Sequence, residues 1–314
     1  MAEKIATRHA YGEALTEAGS DPRIVALDAD VSTCTMSCMF GEKYPERFYN
    51  VGIAESNMVG IAAGMAATGL IPFVHSFAMF TAGRAYDQIR NSVAYPRLNV
   101  KVVGTHAGLT VGEDGATHQC LEDIGLMRVI PGMVVICPCD GNETREAVRA
   151  IAEYEGPCYL RLGRLAVESV TDRPGYRFEI GKAVTLKEGS DATVIATGLM
   201  VQVALKAAEE LEKENINVRV LDMHTIKPLD REAVLKAARE TGAIVTAEEH
   251  NVLCGLGSAV CEAITEEYPV PVLKVGTMDT FGKSGNPLAL MEKYGLTKEN
   301  IIEKVKKGIA LKND

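Results

Sequence analysis

The chain has 314 residues, room for two domains of ordinary size, and 47% of them are apolar, so a large core can be buried. A net charge of −9 argues against a general nucleic-acid or membrane-surface role, while leaving space for a small basic pocket that takes an anionic substrate. No stretch is long and apolar enough to span a bilayer, and Met1–Arg8 lacks the apolar centre of a signal peptide, so the cytoplasm is expected.

In chain order, short β-rich runs alternate with helical patterns. Strands are predicted at Ile24–Leu27, Pro72–His75, Val100–Gly104, Met133–Cys137 and Cys158–Leu162. Helices are predicted at Thr7–Ala18, Glu55–Thr68, Ala82–Ala94, Leu121–Met127 and Glu143–Tyr154. This alternation predicts an α/β fold with a mainly parallel sheet covered by helices. The polar stretch Val170–Arg177, with its Pro-Gly turn signal, reads as a linker. Strands then resume at Ala192–Ala196, Val218–Leu221, Ala243–Thr246 and Val272–Val275, giving a second, smaller α/β unit. Eight scattered cysteines form no CxxC pair, which favours free thiols over a zinc or redox site.

The predicted helix after Glu55 contains Met58–Ala67 (MVGIAAGMAA), uncharged and apolar all round. Two readings fit: a core helix buried on every side, or a subunit interface where Gly60, Gly64 and the alanines let another backbone approach.

Four groups could carry chemistry. Glu55 ends the run Asn50-Val51-Gly52-Ile53-Ala54-Glu55 at a helix start, a place acids also take for the helix dipole alone. Gly112-Glu113-Asp114-Gly115-Ala116-Thr117-His118 follows the strand at 100–104 on the side where open α/β sheets bind ligands. Its plain alternative is a surface turn. Phe77 and Phe80 are either core or a platform for a flat heteroaromatic ring. Arg8, Arg161 and Arg164 suit phosphate, although strand-end arginines are often merely solvated. Gly255-Leu256-Gly257-Ser258-Ala259 lacks dinucleotide-loop spacing, and its glycines are expected to admit close packing at the start of a helix over Ser258–Glu267.

Taken in order, Ala6-Thr7-Arg8, Ala29-Asp30, Gly52-Ile53-Ala54-Glu55, Phe77-x-Met79-Phe80, Gly112-Glu113-Asp114-Gly115-x-Thr117-His118, Gly156-Pro157…Arg164 and Glu248-Glu249-His250…Gly255-Leu256-Gly257 resemble the C-terminal half of transketolases. The resemblance spans essentially the whole chain. It implies a pyrimidine-binding domain over 1–169, a linker over 170–190 and a transketolase C-terminal domain over 191–314.

It further implies a thiamine diphosphate enzyme. Glu55 would hydrogen-bond N1′ of the aminopyrimidine and favour the tautomer that removes the thiazolium C2 proton. Phe77 and Phe80 would stack on the pyrimidine, and Asp30 would lie near the cofactor. His118 and Asp114 would meet the sugar hydroxyls, while Arg8 and Arg164, helped by Ser32 or Thr33, would bind its phosphate. The implied reaction moves a two-carbon ketol unit between sugar phosphates. Two departures stand out. Gly83 occupies a position where the family often has a further aromatic. The chain also has no Gly-Asp dipeptide, so the half that holds Mg²⁺ and the diphosphate is missing. No metal ligand is therefore assigned to this chain. A partner chain is expected to complete each site, in a heterotetramer of two plus two. The β subunit of a 2-oxo-acid dehydrogenase, or a split enzyme for another sugar phosphate, remains as an alternative.

Overall fold

The computed structural model describes residues 4–313. The first half provides six strands of the larger sheet: β1 Ile24–Asp28, β2 Phe48–Asn50, β3 Ile71–Phe77, β4 Lys101–Thr105, β5 Val134–Ile136 and β6 Cys158–Arg161. The second half adds β7 Val184–Lys187, β8 Ala192–Ala196, β9 Val218–Asp222, β10 Thr225–Lys227, β11 Ile244–Asn251 and β12 Val272–Thr277. The larger sheet has the order β10-β5-β6-β4-β3-β1-β2 and the smaller β12-β11-β8-β9-β7. Both are parallel except at one edge, where β10 and β7 run antiparallel to their neighbours. A short ribbon pairs Lys4–Ala6 with Ala166–Glu168.

Residue alternation explains the layering. In β1, Ile24 and Ala26 face a core shared with Tyr11, Leu15 and Phe40, whereas Val25 and Leu27 face one shared with Met58, Val59 and Ala62. Both faces are buried, as a parallel sheet with helices on each side requires. The smaller sheet repeats this, with Val194 and Ala196 on one side and Ile195 on the other. A strand from the second half, β10, completes the larger sheet, so the two halves are interleaved along one edge.

Two expectations need correction. The helix at Glu55–Ala67, here α1, is not buried all round: Met58, Val59, Ala62 and Ala63 are buried, but Gly60, Ile61, Gly64 and Ala67 are exposed. Apolarity on every side leads to burial on every side only where a second surface covers the outer face. The helix predicted at Ala82–Ala94 is two π-helical turns, Met79–Arg84 and Ile89–Ala94, around a short α turn at Tyr86–Gln88. The loop predicted at 112–118 runs from a 3₁₀ helix over Leu109–Asp114, kinked at Gly112 (φ +83°), into a turn at 116–118.

Candidate active site

The larger sheet reverses direction between β1 and β3, since β2 lies on one side of β1 and β3, β4 and β6 on the other. Ligands in open α/β sheets bind outside the carboxyl ends at such a switch. The turns leaving β1, β2, β3, β4 and β6 carry Asp30 and Ser32, Glu55, Phe77 and Phe80, the segment 106–118, and Arg164 respectively.

The turn after β1 is set by Asp28. Its fully buried carboxylate accepts from Val31 N at 2.7 Å, Thr35 Oγ1 at 2.8 Å and Ser37 Oγ at 2.9 Å. That fixes the next residues: Asp30 takes a positive φ of 65°, stays exposed and accepts from Asn50 Nδ2 at 2.8 Å. Ser32 opens the short helix Ser32–Thr35, and Arg8 Nη1 donates to Cys34 O in the same helix at 2.6 Å.

Glu55 is the first residue of α1 and is 2% exposed. Its carboxylate accepts from Arg84 Nη1 at 2.8 Å and, weakly, from Ser76 Oγ at 3.4 Å. The Arg84 guanidinium lies over the Phe80 ring at 4.4 Å. Phe80 stacks on Phe77 with centroids 5.9 Å apart and planes 14° from parallel, and Phe77 stacks in turn on His106 at 4.1 Å. His118 meets Phe80 edge-on at 5.2 Å. The two phenylalanines thus form a wall and not a slot, because a ring held between them would need about 7 Å, twice the usual contact distance. Where the Gly83 side chain would start, Met79 Cε lies 2.3 Å away, so a methionine covers the position that lacks an aromatic.

The basic group is Arg8 and Arg164. Burial pulls the Arg8 guanidinium below its usual range, and the positive charge of Arg164 adds to that effect, partly offset by Cys34. Its buried Nε has no hydrogen-bond partner. A half-buried cation with a like charge beside it and an orphaned donor is a place for an anion. Arg164 donates to Val111 O and lies 3.5 Å from Asp114 Oδ2 and 3.8 Å from Glu113 Oε2, so the two acids help to orient it. His118 Nδ1 is 3.0 Å from Thr117 Oγ1.

The structure therefore brings Arg8, Arg164, Phe77, Phe80 and His118 to one place, joins Glu55 to it through Arg84, and sets Asp30 and Ser32 on the rim. Arg161 is not part of the group. It is 4% exposed, donates to Asp123 Oδ2 at 2.8 Å and to Glu249 O at 2.9 Å, and cannot reach a ligand. The glycines at 255–257 pack as expected: the Glu248 carboxylate fills the helix N-terminus, accepting from Leu256 N at 2.7 Å and Gly257 N at 2.8 Å.

Sequence reading missed His106 and Arg84. His106 directly follows β4 at its carboxyl end and is 3% exposed at φ +55°. Burial first, then the charges of Arg8, Arg164 and His118, push its imidazole down to about 3, so it is a neutral donor and acceptor at any working pH. A histidine immediately after a central strand was the available signal. Arg84 had none, because its reach to Glu55 depends on the π turn that carries it.

Two family models match the chain: the transketolase pyrimidine-binding domain over residues 3–169 and the transketolase C-terminal domain over 181–301. The chain belongs to the transketolase family. It carries the pyrimidine-binding and C-terminal domains of that family and is of the transketolase transferase type. A 6-deoxy-6-sulfo-D-fructose transketolase subunit from a Clostridium species is 48% identical over 94% of this chain and 92% of its own length. One of the subunits of an apulose-4-phosphate transketolase from Phocaeicola vulgatus is 42% identical over 95% of each chain. A solved split-gene transketolase, described as an inactive β4 tetramer, is 54% identical, with a TM-score of 0.92 over 98% of this chain and 99% of that one.

Proposed function

We propose that this transketolase-family chain is the pyrimidine-side subunit of a split enzyme that moves a two-carbon ketol unit from a ketose phosphate to an aldose phosphate. Thiamine diphosphate would lie at the interface with a partner chain that holds its diphosphate and Mg²⁺. When bound, that cofactor supplies the electron sink which a ketol cleavage needs. The observation that carries the reading is the Glu55–Arg84–Phe80 arrangement. A flat, N–H-bearing guanidinium rests on the Phe80 ring and donates to the buried Glu55 carboxylate. These are the two contacts the reading asks of the aminopyrimidine, so the residues present fit the group, and Arg84 would swing away as it enters.

In this role Glu55 holds the proton shared with the ring nitrogen, shielded from water by burial. Phe77 and Phe80 exclude solvent from one side. His106 and His118 offer hydrogen bonds to sugar hydroxyls, and Asp114 a further acceptor. Arg8 and Arg164, with Ser32 on the rim, hold the terminal anion. An arginine pair accepts a sulfonate as well as a phosphate. One relative is named for a sulfosugar and another for a sugar phosphate, and both are anionic sugars.

The exposed face of α1 would meet another chain. The carbons missing at Gly60 and Gly64 would point into open space, and Ile53 before the helix is 76% exposed. A tetramer of two such chains and two partners, working in the cytoplasm, is the assembly proposed. Among the described residues no helix is long and apolar enough to cross a membrane.

The test is two-carbon transfer from xylulose 5-phosphate to ribose 5-phosphate with thiamine diphosphate and Mg²⁺, for the chain alone and with a partner carrying a Gly-Asp-Gly half. Activity is expected in the mixture and a loss of about 10²–10⁴-fold in Glu55→Gln with unchanged assembly. A verified complex that is inactive on pentose phosphates would reject them as substrates, and sulfonated and other phosphorylated ketoses would be tried next.

A further inference from the structure

The 3₁₀ helix Leu109–Asp114, which leads into His118, begins at Gly108, a residue with no side chain to cap it. The cap comes from elsewhere. Glu249, on β11 of the second half and 4% exposed, accepts from Thr110 N through Oε1 at 2.6 Å across 139 residues of sequence. A helix start leaves backbone N–H groups without partners, and a carboxylate oxygen is the strongest acceptor they can find. Gly108 makes the approach possible. A side-chain carbon there would lie 2.3 Å from the Glu249 carboxyl carbon, and its φ of +84° suits glycine.

The same half of the chain grips the rest of the loop. Gln119 Nε2 donates to Leu109 O at 3.1 Å and to Lys283 O at 2.9 Å. Ser284 Oγ donates to Glu113 O, and Gly285 N to Gly112 O at 3.4 Å. Glu249 is itself held in place, since its backbone carbonyl takes the Arg161 guanidinium that is paired with Asp123.

We propose that Glu249 is a positioning residue for the substrate loop: it caps the loop's helix from the second domain and thereby sets where Asp114 and His118 meet the sugar. This rests on the reading of that loop given above, so two separate readouts are needed. Glu249→Met keeps the side-chain length and removes the acceptor, while Glu249→Gln keeps an acceptor oxygen.

The assembled complex would be followed by hydrogen exchange over 108–119 and by steady-state kinetics with the ketose donor. In Glu249→Met, exchange at 109–114 should rise while α1 and β3 stay protected. KM for the donor should rise on the order of tenfold, the size of one lost cap, with kcat changing less, and Glu249→Gln should restore both. If Glu249→Met does not fold, Gly108→Ala attacks the same contact from the loop side and should reproduce the exchange change. Unchanged exchange in the loop overturns the capping, whatever the enzyme's substrate. A loosened loop with unchanged KM overturns the positioning of substrate contacts while leaving the transfer reaction intact.

Discussion

Charged groups sit in two regions of this protein, and they are treated in opposite ways. On the rim above the larger sheet, Arg8, Asp30, Asp114 and Arg164 are partly or fully exposed, and Arg8 keeps an unpartnered buried Nε. In the seam between the two halves, Asp123, Arg161, Glu249, Glu143 and Asp222 are all nearly or wholly buried, and each makes at least one bond within the fold, although Asp123 Oδ1 and Asp222 Oδ1 have none. Burial raises the Asp123 carboxyl, but Arg161 beside it, together with His250 and the hydrogen bond from Tyr159, brings it out below its ordinary value. Burial also pushes Asp222 up, and there Glu143 next to it adds to the rise instead of offsetting it. A charge whose partners are supplied by the fold builds structure. What sets the charges at the sheet's carboxyl end apart is their access to solvent, and so to a ligand.

Three substitutions would break or sharpen this contrast. The largest effect belongs to the seam. Arg161→Met leaves Asp123 buried without its counter-ion and should lower stability by about 3–5 kcal/mol in denaturant titrations; a loss under about 1 kcal/mol would mean the buried pair does not hold this region together. On the rim the cost should fall on binding instead. Arg8→Met should raise KM for a phosphorylated or sulfonated ketose by roughly 10- to 100-fold, the usual worth of a charged hydrogen bond, with little change in melting temperature. The same variant should leave an uncharged ketose unaffected, and an equal effect on both would remove Arg8 from the anion site. The smallest change is expected at Arg84, which straddles the two classes: it is half exposed yet paired to a buried acid. Replacing it with Met should tighten thiamine diphosphate binding to the complex, by no more than about fivefold given solvent screening of the pair. Weaker binding would show that Arg84 assists the cofactor rather than holding its place.

Much of this architecture was legible from residue pattern. The alternation of β-branched runs with helical segments located β1, β3, β4, β5, β6, β8 and β9 closely, because buried parallel strands read as short apolar runs. The three-residue strands β2 and β10 carry too little pattern, and β10 in particular is a strand through its edge pairing with β5. The π turns at 79–94 were hidden because their apolar spacing passes for an ordinary helix. On the rim, the motif order pointed to residues that the fold does bring together. What it could not convey was pairing: that Arg84 closes on Glu55, that Arg161 turns inward although Arg164 three residues later turns outward, and that a glutamate from the second half caps the loop. Those depend on contacts between distant segments, which a linear pattern does not encode.

The edge strand β10 has a consequence for how the chain can be made and cut. Until Thr225–Lys227 has left the ribosome, the edge of β5 has no partner along a strand buried on both faces. An unpaired edge of that kind is a template for aggregation. The larger domain therefore finishes late, after much of the smaller sheet has been synthesised. A dissection at the linker after residue 170 would release a first half with that edge bare, so an expression boundary for it belongs beyond Lys227, inside what looks from sequence like the second domain.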